Sequence, residues 1–241
     1  MAGLRQLTLD DLDSGLALST ASGWNQTAED WHRVLTLATA WGIDDEGQLV
    51  ATTSAIRYGN HLAWIGMVLT AQSHRGRGLA TQVMTTALAH LSDCALVKLD
   101  ATDLGAPLYR RLGFKDEGPI TRYVGRPPKG DQASKGQPGT DAFEADRSEL
   151  LASLGPPACL EDGSFAYARP GRVLPFFGPC VGQGEPLLIW FAGQQPGEFL
   201  LDRMGPAPEG FRPARSLMRM YRGRFKPTSE RQYAGAGFEF G

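Results

Sequence analysis

The run Leu62–Thr70 (LAWIGMVLT) carries no charge and reads as a buried strand. After it, Leu79, Val83, Met84, Ala87, Leu88 and Leu91 recur with helical spacing and predict a helix with one apolar face. Upstream, residues 4–9 predict a first strand, and 10–21 a helix opened by acids, where the helix dipole favours them. Thr27-Ala28-Glu29-Asp30 has the form of a helix cap, and the helix it opens carries Trp31, Val34 and Leu35. Strands are expected at 39–43 and 49–57, around the turn Asp44-Asp45-Glu46-Gly47. Another is expected at 94–99, ahead of the turn Asp100-Ala101-Thr102-Asp103.

Between the buried strand and the helix stands His74-Arg75-Gly76-Arg77-Gly78-Leu79-Ala80. Glycines let the backbone approach a ligand closely, and the first N–H groups of a helix have no partner within it. Strand, glycine turn and helix start therefore make a seat for an anion, with Arg75 and Arg77 adding positive charge. The Gly-Lys-Ser/Thr ending of a phosphate-binding P-loop is missing, which argues against nucleoside triphosphate hydrolysis. The Gly-x-Gly-x-x-Gly spacing of a dinucleotide fold is missing too.

The string Arg-x-x-Gly-x-Ala in this setting resembles the pyrophosphate loop of the GNAT superfamily of N-acetyltransferases. Downstream, Leu108-Tyr109-Arg110-Arg111-Leu112-Gly113-Phe114 resembles that family's Leu-Tyr-x-x-x-Gly-Phe segment. The resemblance implies an α/β mixed sheet with the acyl-CoA N-acyltransferase fold, and acetyl-CoA as donor. It implies that pantetheine runs along Met67, Val68, Leu69 and Thr70, pairing like an added strand, with a backbone N–H near Val68 or Leu69 facing the thioester carbonyl. The diphosphate would lie over Arg75, Gly76, Arg77, Gly78, Leu79 and Ala80, and Tyr109 would face the leaving sulfur. Trp24 and Asn25, between the first two helices, would line the acceptor pocket. Asp100 is the first candidate for the general base; His61 and His74 are weaker ones. The activity implied is transfer of acetyl to a primary amine, a small molecule in preference to a protein, by direct attack in a ternary complex. A non-catalytic acyl-CoA-binding or sensing protein is the rival expectation, since both readings require the glycine loop.

The chain has 241 residues, enough for two domains. A first catalytic domain is expected over 1–125, its series of elements complete by about Gly125. Residues 126–141, rich in Pro, Gly and Lys, hold little that can be buried and predict a mobile linker. In 142–241, a helix is expected at 149–154 and strands at 165–169, 173–177, 187–191, 199–203 and 217–221. Pro170-Gly171-Arg172, Gly178-Pro179-Cys180-Val181-Gly182 and 218–223 resemble the second module of a tandem GNAT subgroup, a degenerate copy of the first. Gly182-Gln183-Gly184-Glu185-Pro186 stands where a diphosphate loop would be; an acid repels phosphate and a proline lacks a donor. One acetyl-CoA site per chain is expected.

Apolar residues at 42% and charged residues at 21% suit a globular chain with a sizeable core. A net charge of −2 provides no overall field toward nucleic acid or membrane. The basic stretch 212–226 alternates with apolar residues as a strand with one solvated face does, so nucleic-acid binding is not expected. Cys94, Cys159 and Cys180 lack metal-ligand spacing and predict reduced thiols, no metal and a cytoplasmic protein. No membrane span or signal peptide is expected, and a monomer or homodimer fits equally.

Overall fold

The computed structural model describes residues 3–130, 132–143 and 145–241. Its first strand, β1 (Gly3–Gln6), ends sooner than the apolar pattern suggests. Thr8 stops it: its side chain accepts from the Asp10 N–H, and the Asp11 carboxylate takes the Thr8 N–H, so the chain turns into helix α1 (Leu12–Ala21). Thr27 and Asp30 form the reciprocal cap expected of helix α2 (Ala28–Leu37). Strands β2 (Ala38–Asp45), β3 (Gln48–Tyr58) and β4 (Leu62–Thr70) follow as antiparallel neighbours, and helix α3 (Leu79–His90) leads to β5 (Leu96–Ala101).

β4 is continuously apolar because helices cover both its faces. Leu62 and Trp64 pack with Trp31 and Val34 of α2, while Ala63 and Ile65 pack with Met84 and Ala87 of α3. Past Gly66 the alternation changes parity, and Met67 and Leu69 join the α2 side. The cause is a bulge: the register against β3 shifts between Thr52 and Ser54, and Met67 has a φ of 51°. The Thr52 hydroxyl donates to the Met67 carbonyl at 2.7 Å and holds the bulge in place.

Helix α4 (Ala106–Arg111) and strand β6 (Lys115–Gly125) come next, then α5 (Ser148–Ser153) and the strands β7 (Ala158–Cys159), β8 (Phe165–Arg169) and β9 (Phe176–Val181). Helix α6 (Gly184–Gln194) and strands β10 (Phe199–Arg203), β11 (Phe211–Gly223) and β12 (Gln232–Ala234) complete the set. Residues 187–191, expected as a strand, lie inside α6. Leu187, Leu188, Ile189, Trp190 and Phe191 are all apolar, and so short a run does not separate a buried strand from a buried helix. The strand expected at 173–177 begins only at Phe176, because 172–174 are bonded to the loop between α1 and α2.

One sheet runs β1-β2-β3-β4-β5-β11-β6-β10-β9-β8-β7, with β12 on β9. The first half is thus not closed by residue 125. β6 follows β5 in the chain, yet β11 lies between them, and β6 borders β10 instead. Read outward from β11 and β6, the two halves match. Each has a central strand (β5 or β10), a parallel neighbour (β4 or β9) and then antiparallel strands. Each half supplies the strand that borders the other. Residues 126–141 contain no helix or strand among those described; Asp131 lies outside them. The segment is bonded to the second half through Lys135 N–H to the Cys159 carbonyl, Gly139 N–H to the Gly163 carbonyl, and Cys159 N–H to Ser134 Oγ.

Candidate active site

Parallel strands β4 and β5 pair only at Leu62/Leu96, Ala63/Val97 and Trp64/Lys98. Beyond Trp64 they part, which is the splay that an added pantetheine strand requires. Two cavities meet in that opening. One is a groove along Val68, Leu69, Thr70, Arg75, Gly76, Gly78, Leu79 and Ala80, with Leu104, Gly105 and Leu108 opposite. The other is a chamber of about 220 Å³ on the α1–α2 side, lined by Trp24, Asn25, Gln26, Gly66, Met67, Val68, Asp100, Arg122 and Glu239 among others. Trp24, Val68, Thr102, Tyr109 and Arg215 line both.

The floor of the groove follows from two glycines. Gly76 and Gly78 have φ of 78° and 77°, in the left-handed region where a side chain is strained. Gly78 is the N-cap of α3 and no side chain caps that end, so the first N–H groups of the helix are free to face a ligand. Arg75 lines the groove. Arg77 does not: its guanidinium turns to Asp45 at 3.7 Å and to the Ser73 carbonyl at 3.3 Å. His74 also faces Asp45, at 3.4 Å.

Tyr109 is 7% exposed, stands over Gly105 and meets Phe114 edge-on at 6.2 Å. Burial pushes its hydroxyl well above the ordinary tyrosine range, so it is a neutral donor at every physiological pH. Asn25 faces the chamber, but both ends of its amide are bonded to the second half. Its oxygen accepts from the Val173 and Leu174 N–H groups at 2.8 and 3.1 Å, and its nitrogen donates to the Leu174 carbonyl at 3.0 Å. Arg172 donates to the Trp24 carbonyl at 2.8 Å. These bonds fasten the α1–α2 loop to the second half; Trp24 is the residue of that loop that presents a surface to both cavities.

Asp100 lies in the chamber wall, yet both of its oxygens are held by Arg219 of β11, at 2.9 and 3.0 Å, and its side chain is fully buried. Burial pushes its carboxyl up and Arg219 pulls it back. A second carboxylate, Glu239, reaches the same chamber. One of its oxygens accepts from Arg169 at 2.9 Å and the other from the Gln26 amide at 2.9 Å. Burial raises its pKa above the usual glutamate range, against the pull of Arg169. Glu239 is placed by Gly66, where an added Cβ would come within 2.8 Å of the Glu239 backbone. The segment around it is tied to the first half by Trp64 Nε1 donating to the Phe238 carbonyl at 3.1 Å, and by the Tyr58 hydroxyl donating to the Phe240 carbonyl at 2.7 Å. Glu239, Arg122, Arg215 and Gln26 were not legible as site residues in the sequence: Glu239 and Arg215 lie far along the chain from the motifs, and Arg122, though close to Phe114, sits on the exchanged strand β6.

The second half has the corresponding wedge, but its own chain fills it. β9 and β10 pair only at Phe176/Leu200, and β12 runs antiparallel along β9 through Gln232/Val181 and Ala234/Cys180. On the other side, the Gly235 N–H donates to the Asp202 carbonyl of β10 at 2.8 Å. Tyr233 lies against Gly184 at the start of α6, so closely that a Cβ there would fall 2.1 Å from its ring. The place of a pantetheine strand and the helix end beside it are both occupied. Titration calorimetry with coenzyme A is therefore expected to give one site per chain; two equivalent sites would contradict the plug.

Among the described residues, no group of three or more His, Cys, Asp or Glu could hold a metal ion, and no helix is long and apolar enough to cross a membrane.

The family model of the acetyltransferase (GNAT) family matches residues 8–114. A protein from Pyrococcus horikoshii assigned provisionally as an acetyltransferase superposes with a TM-score of 0.81 at 20% identity, over 100% of this chain and 96% of the other. A second, from Thermoplasma acidophilum and similarly assigned, gives 0.58 at 11% identity, covering 92% and 100%. No curated protein matches the sequence. The fold is that of the acyl-CoA N-acyltransferases, and within it residues 8–114 are the part similar to the GNAT family.

Proposed function

We propose that the protein moves the acetyl group of acetyl-CoA to a primary amine of a small molecule, by direct attack in a ternary complex. The observation that carries this reading is the junction of groove and chamber at Val68 and Tyr109, where β4 has left β5. Residues 1–125 carry the donor site, and 142–241 form a degenerate GNAT-like half that walls the chamber and binds no coenzyme of its own. The protein works in the cytoplasm.

The diphosphate rests on the main chain of residues 75–80, with Arg75 as its cationic neighbour. The bulged β4 main chain at Met67, Val68, Leu69 and Thr70 bonds to pantetheine, and an N–H there faces the thioester oxygen, worth about 3 kcal/mol in the transition state. The ammonium of the acceptor first loses a proton to Glu239. We assign this to Glu239 and not to Asp100, because a carboxylate whose two oxygens share one guanidinium is poorly placed to take a proton. Nitrogen then attacks the thioester carbon, the carbon–sulfur bond breaks, and the second amine proton passes to the departing sulfur. Tyr109 donates a hydrogen bond to that sulfur. A free tyrosine near ~10 is already a weaker acid than a thiol near ~8.5, and burial widens the gap, so a hydrogen bond serves better than full proton transfer.

The test is thiol release from acetyl-CoA in the presence of pooled primary amines. Tyr109→Phe is expected to lower kcat about 10- to 100-fold, the worth of a hydrogen bond to a charged group, while the Kd for coenzyme A stays unchanged. Coenzyme binding without amine-dependent thiol release would instead support a non-catalytic acyl-CoA sensor.

A further inference from the structure

Charge in the chamber wall is matched except at one place. Asp100 is held by Arg219, Arg122 by Asp202 at 2.7 and 2.6 Å, and Glu239 by Arg169. Arg215, which lines both the chamber and the groove, forms no ion pair among the described residues. It also stands directly across the β11–β6 pairing from Arg122. Like charges opposite each other destabilise a sheet, and a register shift between Pro213 and Arg215 places the two in this position. Partial burial first, and Arg122 second, disfavour the charge on the Arg215 guanidinium. A repulsive pair at the mouth of an otherwise neutralised chamber is a place for an anion.

We propose that the acceptor amine also carries a carboxylate, as an amino acid does, and that Arg215 grips it while the amine is turned toward Glu239 and the thioester. A guanidinium presents two parallel N–H groups to a planar carboxylate, which gives the acceptor one orientation as well as an attraction. The inference rests on the acetyltransfer reading and narrows its substrate class.

Matched pairs of amines test it: phenylalanine against 2-phenylethylamine, and leucine against 3-methylbutylamine. The carboxylate member is expected to have the higher kcat/KM by about 10- to 100-fold. Arg215→Gln should erase that preference through KM, bringing kcat/KM for the two members of each pair to about the same value, while coenzyme A still binds. Arg215→Lys should restore only part of it, because an ammonium keeps the charge without the fork. Equal use of both members by the unaltered protein would overturn the proposal. So would a loss of coenzyme affinity in Arg215→Gln, which would hand the guanidinium to a phosphate of the donor. If coenzyme A binds but no amine of either kind is acetylated, the acetyltransfer reading falls. Saturation-transfer NMR of phenylalanine and 2-phenylethylamine, with coenzyme A present, then decides separately. Equal signals, or a preference that survives Arg215→Gln, would sink the carboxylate site, whereas a preference that Arg215→Gln removes would sustain it.

Discussion

Glu239→Gln is expected to lower kcat by about 100- to 10,000-fold, the range over which a positioned general base acts. The substitution keeps the shape of the side chain and its contact with Gln26, and Arg169 retains Asp30 at 2.9 Å, so the fold should persist. The pH profile makes the prediction specific. Burial holds the Glu239 pKa above its ordinary value, so the base form appears only as pH rises through that raised value, and kcat/KM should climb with it. In the glutamine variant this acid limb should vanish from the residual activity. Stability runs the other way. A carboxyl whose pKa is raised by folding stabilises most below its unfolded value, near ~4.3, and that contribution is lost as pH rises through the folded value. Below that window the glutamine variant, neutral like the protonated acid, should melt close to the unaltered protein, and above it no lower. Activity would thus fall without a matching loss of fold. A variant that retains full kcat and the acid limb would return the base role to Asp100.

The local features of the site were open to inspection in the sequence, and the non-local ones were not. β4 could be read because two covering helices make it apolar throughout, and the loop at 75–80 because backbone geometry there demands glycine at two fixed places. The cap of α2 announces itself in four residues. Residues 187–191 misled because a helix buried on several sides shows no period to distinguish it from a strand. The exchange of β6 and β11 leaves no signature at all. A strand bordering β5 looks the same whether it comes from residue 115 or residue 211, and only long-range pairing selects between them. Asp100 shows the consequence: a lone acid after a strand in sequence becomes, once β11 arrives, half of a buried pair. Glu239 depends on the same assembly, since its place is set by Gly66 and Trp64 more than 170 positions earlier, a separation visible in the Trp64 to Phe238 bond.

Asp100→Asn should lower Tm by roughly 10 °C. Removing one charge from a buried pair costs about 3–5 kcal/mol, and each kcal/mol moves Tm by about 2–4 °C in a chain of this size. The cost arises because Arg219 is 2% exposed and loses the anion that takes two of its N–H groups. The effect should spread to the chamber. Arg219 lies over the Trp64 ring at 4.7 Å, and Trp64 holds the Phe238 carbonyl next to Glu239, so a displaced guanidinium loosens the base as well. A fall in kcat for Asp100→Asn alone therefore cannot separate a structural role from a chemical one. The paired variant Asp100→Leu with Arg219→Met can, because exchanging a whole buried ion pair for apolar groups of similar volume is often neutral or stabilising. It should recover the lost Tm and keep kcat within about tenfold of the starting protein, with the acid limb of Glu239 still present. If the double variant melts normally and binds coenzyme A but shows no turnover at any pH, Asp100 is the group that takes the proton, and the carboxylate at 239 serves only to shape the chamber.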